Sequence, residues 1–188
     1  VMLIALASLS STNSNNMNAN IRIDNGNSNV TVNANVTNLN ANTTTPANLS
    51  DDFSEQKWGV GTSPYGRIWY DNGEYHMTSK ERTFVVMYAP SDDYNTEDAI
   101  VKVTARSVDG SVPSAGFGLM VHCVQTKARQ LEDYALLIYP GEEPQYEIIM
   151  HKNGVQSSLV SRTKSSAIHS GSADNQLEIR IKGTELSF

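Results

Sequence analysis

From Ser50 onward, apolar residues recur at every second position, and no stretch carries the three-to-four spacing of an amphipathic helix. Arg67-Ile68-Trp69-Tyr70 and Glu74-Tyr75-His76-Met77-Thr78 flank Asp71-Asn72-Gly73. That triplet predicts a tight hairpin, because Asn and Gly tolerate positive φ. Thr83 to Tyr88 is an apolar run closed by Pro90, and it reads as another strand. Between Asp98 and Ser107, Ala99, Val101, Val103 and Ala105 alternate with Lys102, Thr104 and Arg106. Phe117, Leu119, Val121 and Cys123 form a similar face. Tyr134–Tyr139 follows, ended by Pro140-Gly141. Then come Tyr146–His151, the turn Lys152-Asn153-Gly154, and Val155–Arg162. Leu177–Ile181, a Lys182-Gly183-Thr184 turn and Glu185–Phe188 complete the series. Some nine or ten short strands at this spacing predict an all-β domain, a sandwich of two antiparallel sheets.

Composition divides the 188-residue chain near Leu49. The first 50 residues hold only two charged side chains, Arg22 and Asp24, and every aromatic residue lies after them. A packed core needs such side chains, so the folded domain is assigned to residues 49–188. Residues 11–48 are rich in Asn, Ser and Thr, with 14 asparagines between Ser11 and Ser50. This composition buries too little apolar surface to offset chain entropy and predicts an unstructured linker. Val30, Val32, Ala34 and Val36 alternate with polar residues and would suit a short edge strand. Four Asn-x-Ser/Thr sequons, at Asn29, Asn35, Asn42 and Asn48, arise readily in such a tract. Residues 1–10 begin Val-Met-Leu-Ile-Ala-Leu-Ala and pass into small polar residues. They read as the truncated end of a secretory signal peptide. The stub of a membrane helix is the alternative, and both readings place the domain outside the cytoplasm.

Charge and cysteine content exclude several functions. Arg22 and Asp24 cancel, so the whole formal net charge of −6 sits on the domain. Nucleic-acid binding through a dense basic patch is not expected. The lone Cys123 rules out an intrachain disulfide and a cysteine-rich zinc site. No apolar run reaches the ~18 residues that would insert the domain in a membrane. Gly-x-Ser-x-Gly, Walker and complete Rossmann glycine patterns are absent from the sequence.

Several blocks occur in a suggestive order. Asp51-Asp52-Phe53, Trp58 and Asp71-Asn72-Gly73-Glu74-Tyr75 come first. Gly116-Phe117-Gly118-Leu119-Met120-Val121, Asp133-Tyr134-Ala135-Leu136 and Tyr146–Met150 follow. Ala167-Ile168-His169-Ser170-Gly171 and Asn175-Gln176-Leu177 precede the Lys-Gly-Thr turn. From about Leu49 to Phe188 the chain resembles the laminin-G-like jelly roll of the concanavalin A-like lectin/glucanase superfamily, in its bacterial extracytoplasmic form. The resemblance implies a two-sheet jelly roll with a concave outer surface. Members usually continue into a further turn and a final strand, so the resemblance implies a longer native chain. Glucanase members carry a Glu-x-Asp-x-x-Glu run, and none occurs here. Retaining cleavage needs two carboxylates about 5 Å apart. The acidic pairs in this chain are sequence neighbours, which point to opposite faces of a strand. The implied function is a noncatalytic carbohydrate- or surface-ligand-binding module. One alternative is an enzyme similar to the bacterial 3-keto-disaccharide hydrolase domains, with Glu147 contributing a carboxylate. Another is a structural adhesion or sensor domain with a protein partner.

The alternation also nominates site residues. With Phe117, Leu119 and Val121 inward, Gly118, Met120 and His122 point to the other face. With Tyr146, Ile148 and Met150 inward, Glu147, Ile149 and His151 point outward, joined by Leu137 and Tyr139. His122, Tyr139 and His151 would then stack on sugars, and Glu147 and Arg106 would hydrogen-bond hydroxyls. An ordinary sheet face of mixed polarity is the plainer reading. His122, His151 and Glu147 would suit a transition metal only if their strands align. No cofactor motif is present. The resemblance implies calcium as the candidate ion, since many laminin-G-like domains bind it on loops, and the oxygen donors available here are those of Asp71, Asn72, Asp92 and Asp93, although a hairpin turn already explains the first two. Cys123 reads as a small buried hydrophobe on the Phe117/Leu119/Val121 face. Trp58 and Trp69 read as packing residues, or as a sugar platform if one lies on a rim.

Overall fold

The computed structural model describes residues 50–90, 98–128 and 130–188, together with three short backbone stretches before residue 50. It contains no helix among the described residues, hence none long and apolar enough to cross a membrane. Alternation produces the expected ladders. Ile68↔Met77 and Tyr70↔Tyr75 face inward across the hairpin of β5 (Gly66–Asp71) and β6 (Glu74–Ser79), and Arg67, Trp69 and His76 face outward. Asn72 and Gly73 close it at φ 52° and 73°, as a two-residue turn requires. With β4 (Gly61–Thr62) the hairpin makes a separate three-stranded sheet.

A second sheet has the order β1-β8-β9-β10-β11, with β1 Ala5–Leu6, β8 Phe117–Gln125, β9 Leu131–Tyr139, β10 Gln145–Lys152 and β11 Val155–Lys164. A third has the order β3-β2-β13-β12-β7, with β2 Asn20–Asp24, β3 Asn29–Thr31, β7 Ala99–Ala105, β12 Asn175–Lys182 and β13 Glu185–Ser187. From Gly61 onward every pairing is antiparallel. One apolar cluster joins the three sheets and gives them a sandwich-like core. It includes Met77, Val103, Phe117, Leu119, Ile138, Ile148, Ile179 and Leu186. Phe117, Met77, Leu119, Ile138, Ile148, Ile179 and Leu186 are almost completely buried. Each such side chain contributes roughly 2–3 kcal/mol of burial.

Three expectations change. The domain carries three sheets rather than two, because the β4–β6 unit builds its own aromatic corner. Thr83–Tyr88 forms no strand: only Val85 of that run is buried, and no neighbouring strand supplies a ladder. The Asn-rich tract, expected as linker apart from an edge strand at Val30–Val36, supplies strand backbone at Asn20–Asp24 as well as at Asn29–Thr31. β2 runs parallel to β13 and pairs with β3. The continuation of the alternating run through Val36, and the other three sequons, lie outside the described residues, as does most of the segment before residue 20.

The aromatic corner explains how residues 51–59 are fastened. Trp58 is buried among Phe53, Tyr70 and Tyr75, and the Phe53 and Tyr75 rings stack at 5.5 Å. Asp51 accepts the Trp58 indole N–H at 3.0 Å and the Phe53 amide at 2.8 Å. The Tyr70 hydroxyl accepts the amides of Lys57 and Trp58 at 3.1 and 2.9 Å, and Tyr75 donates to the Gly59 carbonyl at 2.6 Å. Tyr70→Phe strands two amides, one of them partly buried. The expected loss is about 1–3 kcal/mol, read from urea unfolding. An unchanged unfolding midpoint would show that the hydroxyl does not fasten this segment.

Candidate functional site

The outer face of the β8–β11 sheet is set by register. Gly118, Leu137 and Glu147 lie level across β8, β9 and β10, as do Met120, Ala135 and Ile149. Met120, Ala135, Leu137 and Ile149 are all buried. The middle of this face is therefore apolar and covered, unlike the open sugar-binding surface expected from the sequence. Of the four levels of this face from Tyr139 to Asp133, the one of Met120, Ala135 and Ile149 is wholly apolar and separates the polar groups on either side of it.

At one end, Tyr139 closes β9 and Glu147 follows on β10. The Tyr139 hydroxyl donates to Glu147 Oε2 at 2.9 Å. Opposite Glu147, two residues of β11, Ser161 and Arg162, occupy the space of one, because the register shifts between Tyr146↔Thr163 and Ile148↔Val160. This bulge re-aims Arg162. Its guanidinium lies over the Tyr139 ring at 3.8 Å, forms an ion pair with Glu147 at 3.6 Å and donates to the Ser114 carbonyl at 2.8 Å. Gly116, at φ 67°, lets the loop before β8 approach the site: a Cβ there would sit 2.9 Å from the Tyr139 ring. Burial, then the Glu147 hydrogen bond, pushes the Tyr139 phenol up to about 12, so it stays a donor at neutral pH. The Glu147 side chain is 13% exposed and Arg162 47%. Lys164, at the end of β11, pairs at 2.6 Å with Glu143 of the loop before β10.

At the other end, roughly 13 Å along β10 from Glu147, His151 Nδ1 lies 2.9 Å from both oxygens of the fully buried Asp133. The Asp133 hydrogen bond raises the His151 pKa against the opposing effect of burial. Between Val121↔Tyr134 and Val124↔Glu132, His122 and Cys123 together face the single Asp133, which is a second bulge. His122 sits at φ 54° with its ring edge-on to Tyr134, 6.2 Å away. Burial lowers its pKa.

The alternation expected at His122 and Cys123 is thus broken by the bulge. Cys123 is buried, as expected, and burial together with the Asp133 charge raises its thiol pKa. It is held as a thiol. Tyr88 feels the same two groups.

Of the five residues nominated from sequence, Tyr139 and Glu147 come together. His151 shares their face but forms its own pair. His122 stands beside Tyr134. Arg106 lies at the end of β7 in another sheet, held by Glu74 and, at 3.5 Å, by Asp174. The three proposed transition-metal ligands do not converge. Among the described residues, no group of three or more His, Cys, Asp or Glu side chains is placed to hold a metal ion. Of the calcium candidates, Asp71 and Asn72 form the hairpin turn, and Asp92 and Asp93 lie outside the described residues. Trp69 is on the outer face of β5, stacked on His76 at 5.1 Å with Arg67 over its ring at 4.8 Å. Sequence reading missed Arg162 and Asp133. Their one visible signal was a charge opposite to Glu147 or His151 on an adjacent strand.

A separate open cleft of about 510 Å³ runs beside β12, between Leu136, Ile138, Tyr146 and Ile168 on one side and Leu177 and Phe188 on the other. No protein-family model, curated protein or solved structure matches this chain.

Proposed function

We propose that the chain is a noncatalytic extracytoplasmic module of jelly-roll type that binds carbohydrate at the Tyr139–Glu147–Arg162 end of its β8–β11 sheet. The observation that carries this reading is the partnership of Glu147. Its neighbours are a phenol and a guanidinium rather than a second carboxylate. Glycoside cleavage would need that second carboxylate across the sugar bond, about 5 Å away for retention or about 6.5–9.5 Å away for inversion. A carboxylate acceptor beside a partly exposed guanidinium donor suits the recognition of hydroxyl groups. The group is positioned before any ligand arrives, which limits the ordering cost of binding. The all-β, sandwich-like core supports the jelly-roll assignment, and the apolar opening segment supports export.

Affinity electrophoresis through gels containing a panel of polysaccharides tests this reading. The wild-type chain is expected to be retarded by at least one of them. Arg162→Ala and Glu147→Gln, each with an unchanged circular-dichroism spectrum, are expected to bind at least about tenfold more weakly, as loss of a charge-assisted hydrogen bond implies. A wild-type chain that migrates freely through every gel, or a folded Arg162→Ala variant retarded like the wild type, would overturn the proposal.

A further inference from the structure

Resting on that reading of the site, we infer that its ligand is an uncharged glycan with vicinal hydroxyls, gripped by hydrogen bonds rather than by ring stacking. Three observations carry this. First, the local charges cancel in pairs, Arg162 with Glu147 and Lys164 with Glu143. An acidic sugar would meet no surplus positive charge and would lie against two carboxylates. A cationic ligand would meet Arg162 and Lys164.

Second, the internal contacts leave one donor and one acceptor unused. Tyr139 and Arg162 both engage Oε2 of Glu147, and among the described residues Oε1 has no hydrogen-bond partner. Arg162 spends Nε on Glu147 and one terminal nitrogen on the Ser114 carbonyl and also acts on the Tyr139 hydroxyl, and a guanidinium with five N–H donors keeps at least one for a ligand. An acceptor and a donor held side by side by one ion pair match two adjacent hydroxyls, one donating to the carboxylate and the next accepting from the guanidinium.

Third, Tyr139 is buried and the guanidinium lies 3.8 Å over its ring, so this ring offers no face for a sugar to stack on. Its work is to hold Glu147 and Arg162 in place. A charge-neutral site also predicts weak salt dependence, because no counterion is displaced and screening has no net charge to act on.

The test compares retardation by neutral polysaccharides (a β-glucan, a mannan, a starch) with retardation by acidic ones (polygalacturonate, alginate), at about 0.05 and 0.5 M NaCl. A second arm uses the retained neutral polysaccharide after periodate oxidation and borohydride reduction, which cleave its vicinal diols. The expected result is retention by a neutral polysaccharide that changes less than twofold with salt and is lost after periodate treatment. Stronger retention by the acidic polymers, weakened by salt, would overturn the inferred ligand class while leaving the site intact. Retention that survives periodate would overturn the diol requirement. Retention by a neutral polymer that Arg162→Ala leaves unchanged would instead overturn the assignment of the site.

Discussion

Gly118→Ala is expected to be among the most damaging single-methyl changes in this domain. A Cβ at this position would lie 1.8 Å from the carbonyl oxygen of Leu136, on the neighbouring strand. The obstacle is backbone in the centre of a sheet and not the tip of a side chain that can turn away. Relief requires β8 and β9 to separate locally, which opens the ladder around Phe117, Leu119 and Leu136 at the heart of the core. Overpacking of this kind costs about 3 kcal/mol or more, or roughly 6–12 °C in melting temperature for a domain of this size. Gly141→Ala is the matched control: the nearest atom to its Cβ is a methyl of Val112 at 3.3 Å, belonging to a side chain that is itself exposed. Its effect is expected to be small. Calorimetric scans of the two variants decide the matter. Equal melting temperatures would mean that β8 and β9 do not approach as described.

The second large effect comes from Asp133 and His151. Asp133 is fully buried, and the imidazole of His151 is its one hydrogen-bonded partner among the described residues. His151→Leu therefore leaves a carboxylate in the interior with no compensating charge. Breaking a buried pair from one side costs about 3–5 kcal/mol. Asp133→Asn combined with His151→Leu removes the stranded charge and is expected to recover part of the loss.

The same pair makes stability depend on pH. Because His151 is more basic in the folded chain than in the unfolded one, folding takes up protons around neutrality. Its contribution is complete below the ordinary histidine value of about 6.5 and is lost as the pH rises through the higher folded value. Urea midpoints between pH 5.5 and 9 should show the wild type losing its advantage over His151→Gln on the alkaline side. A difference between the two proteins that stays constant across this range would rule out a protonated His151 in the native state.

Several parts of the molecule are written locally. Asn72-Gly73 and Asn153-Gly154 dictate their turns, since both residues of each pair adopt positive φ. The apolar set Val101, Val103 and Ala105 on β7, and Leu177, Ile179 and Ile181 on β12, announces which side of that sheet is buried. That Tyr139 and Glu147 share a face follows from the alternation of their two strands, with Tyr139 level with Gln145 and Glu147 level with Leu137. Thr83–Tyr88 has the same apolar character and forms no strand, because a strand also needs a neighbour to receive its hydrogen bonds.

What the chain alone determined, then, is an all-β domain after residue 50, its turns, most of its strands and the faces they bury. Period-two alternation and positive-φ residues act over a few positions and need no distant partner. Tertiary structure alone decided that a bulge interrupts the alternation at His122 while Cys123 stays buried as expected, that Arg162 closes over Tyr139, that Arg106 belongs to another sheet, and that His151 pairs with Asp133. Each of these depends on a bulge or a cross-strand register. One extra residue in a ladder moves side chains from one face to the other, and where that residue is inserted is settled by the packing of strands far apart in sequence.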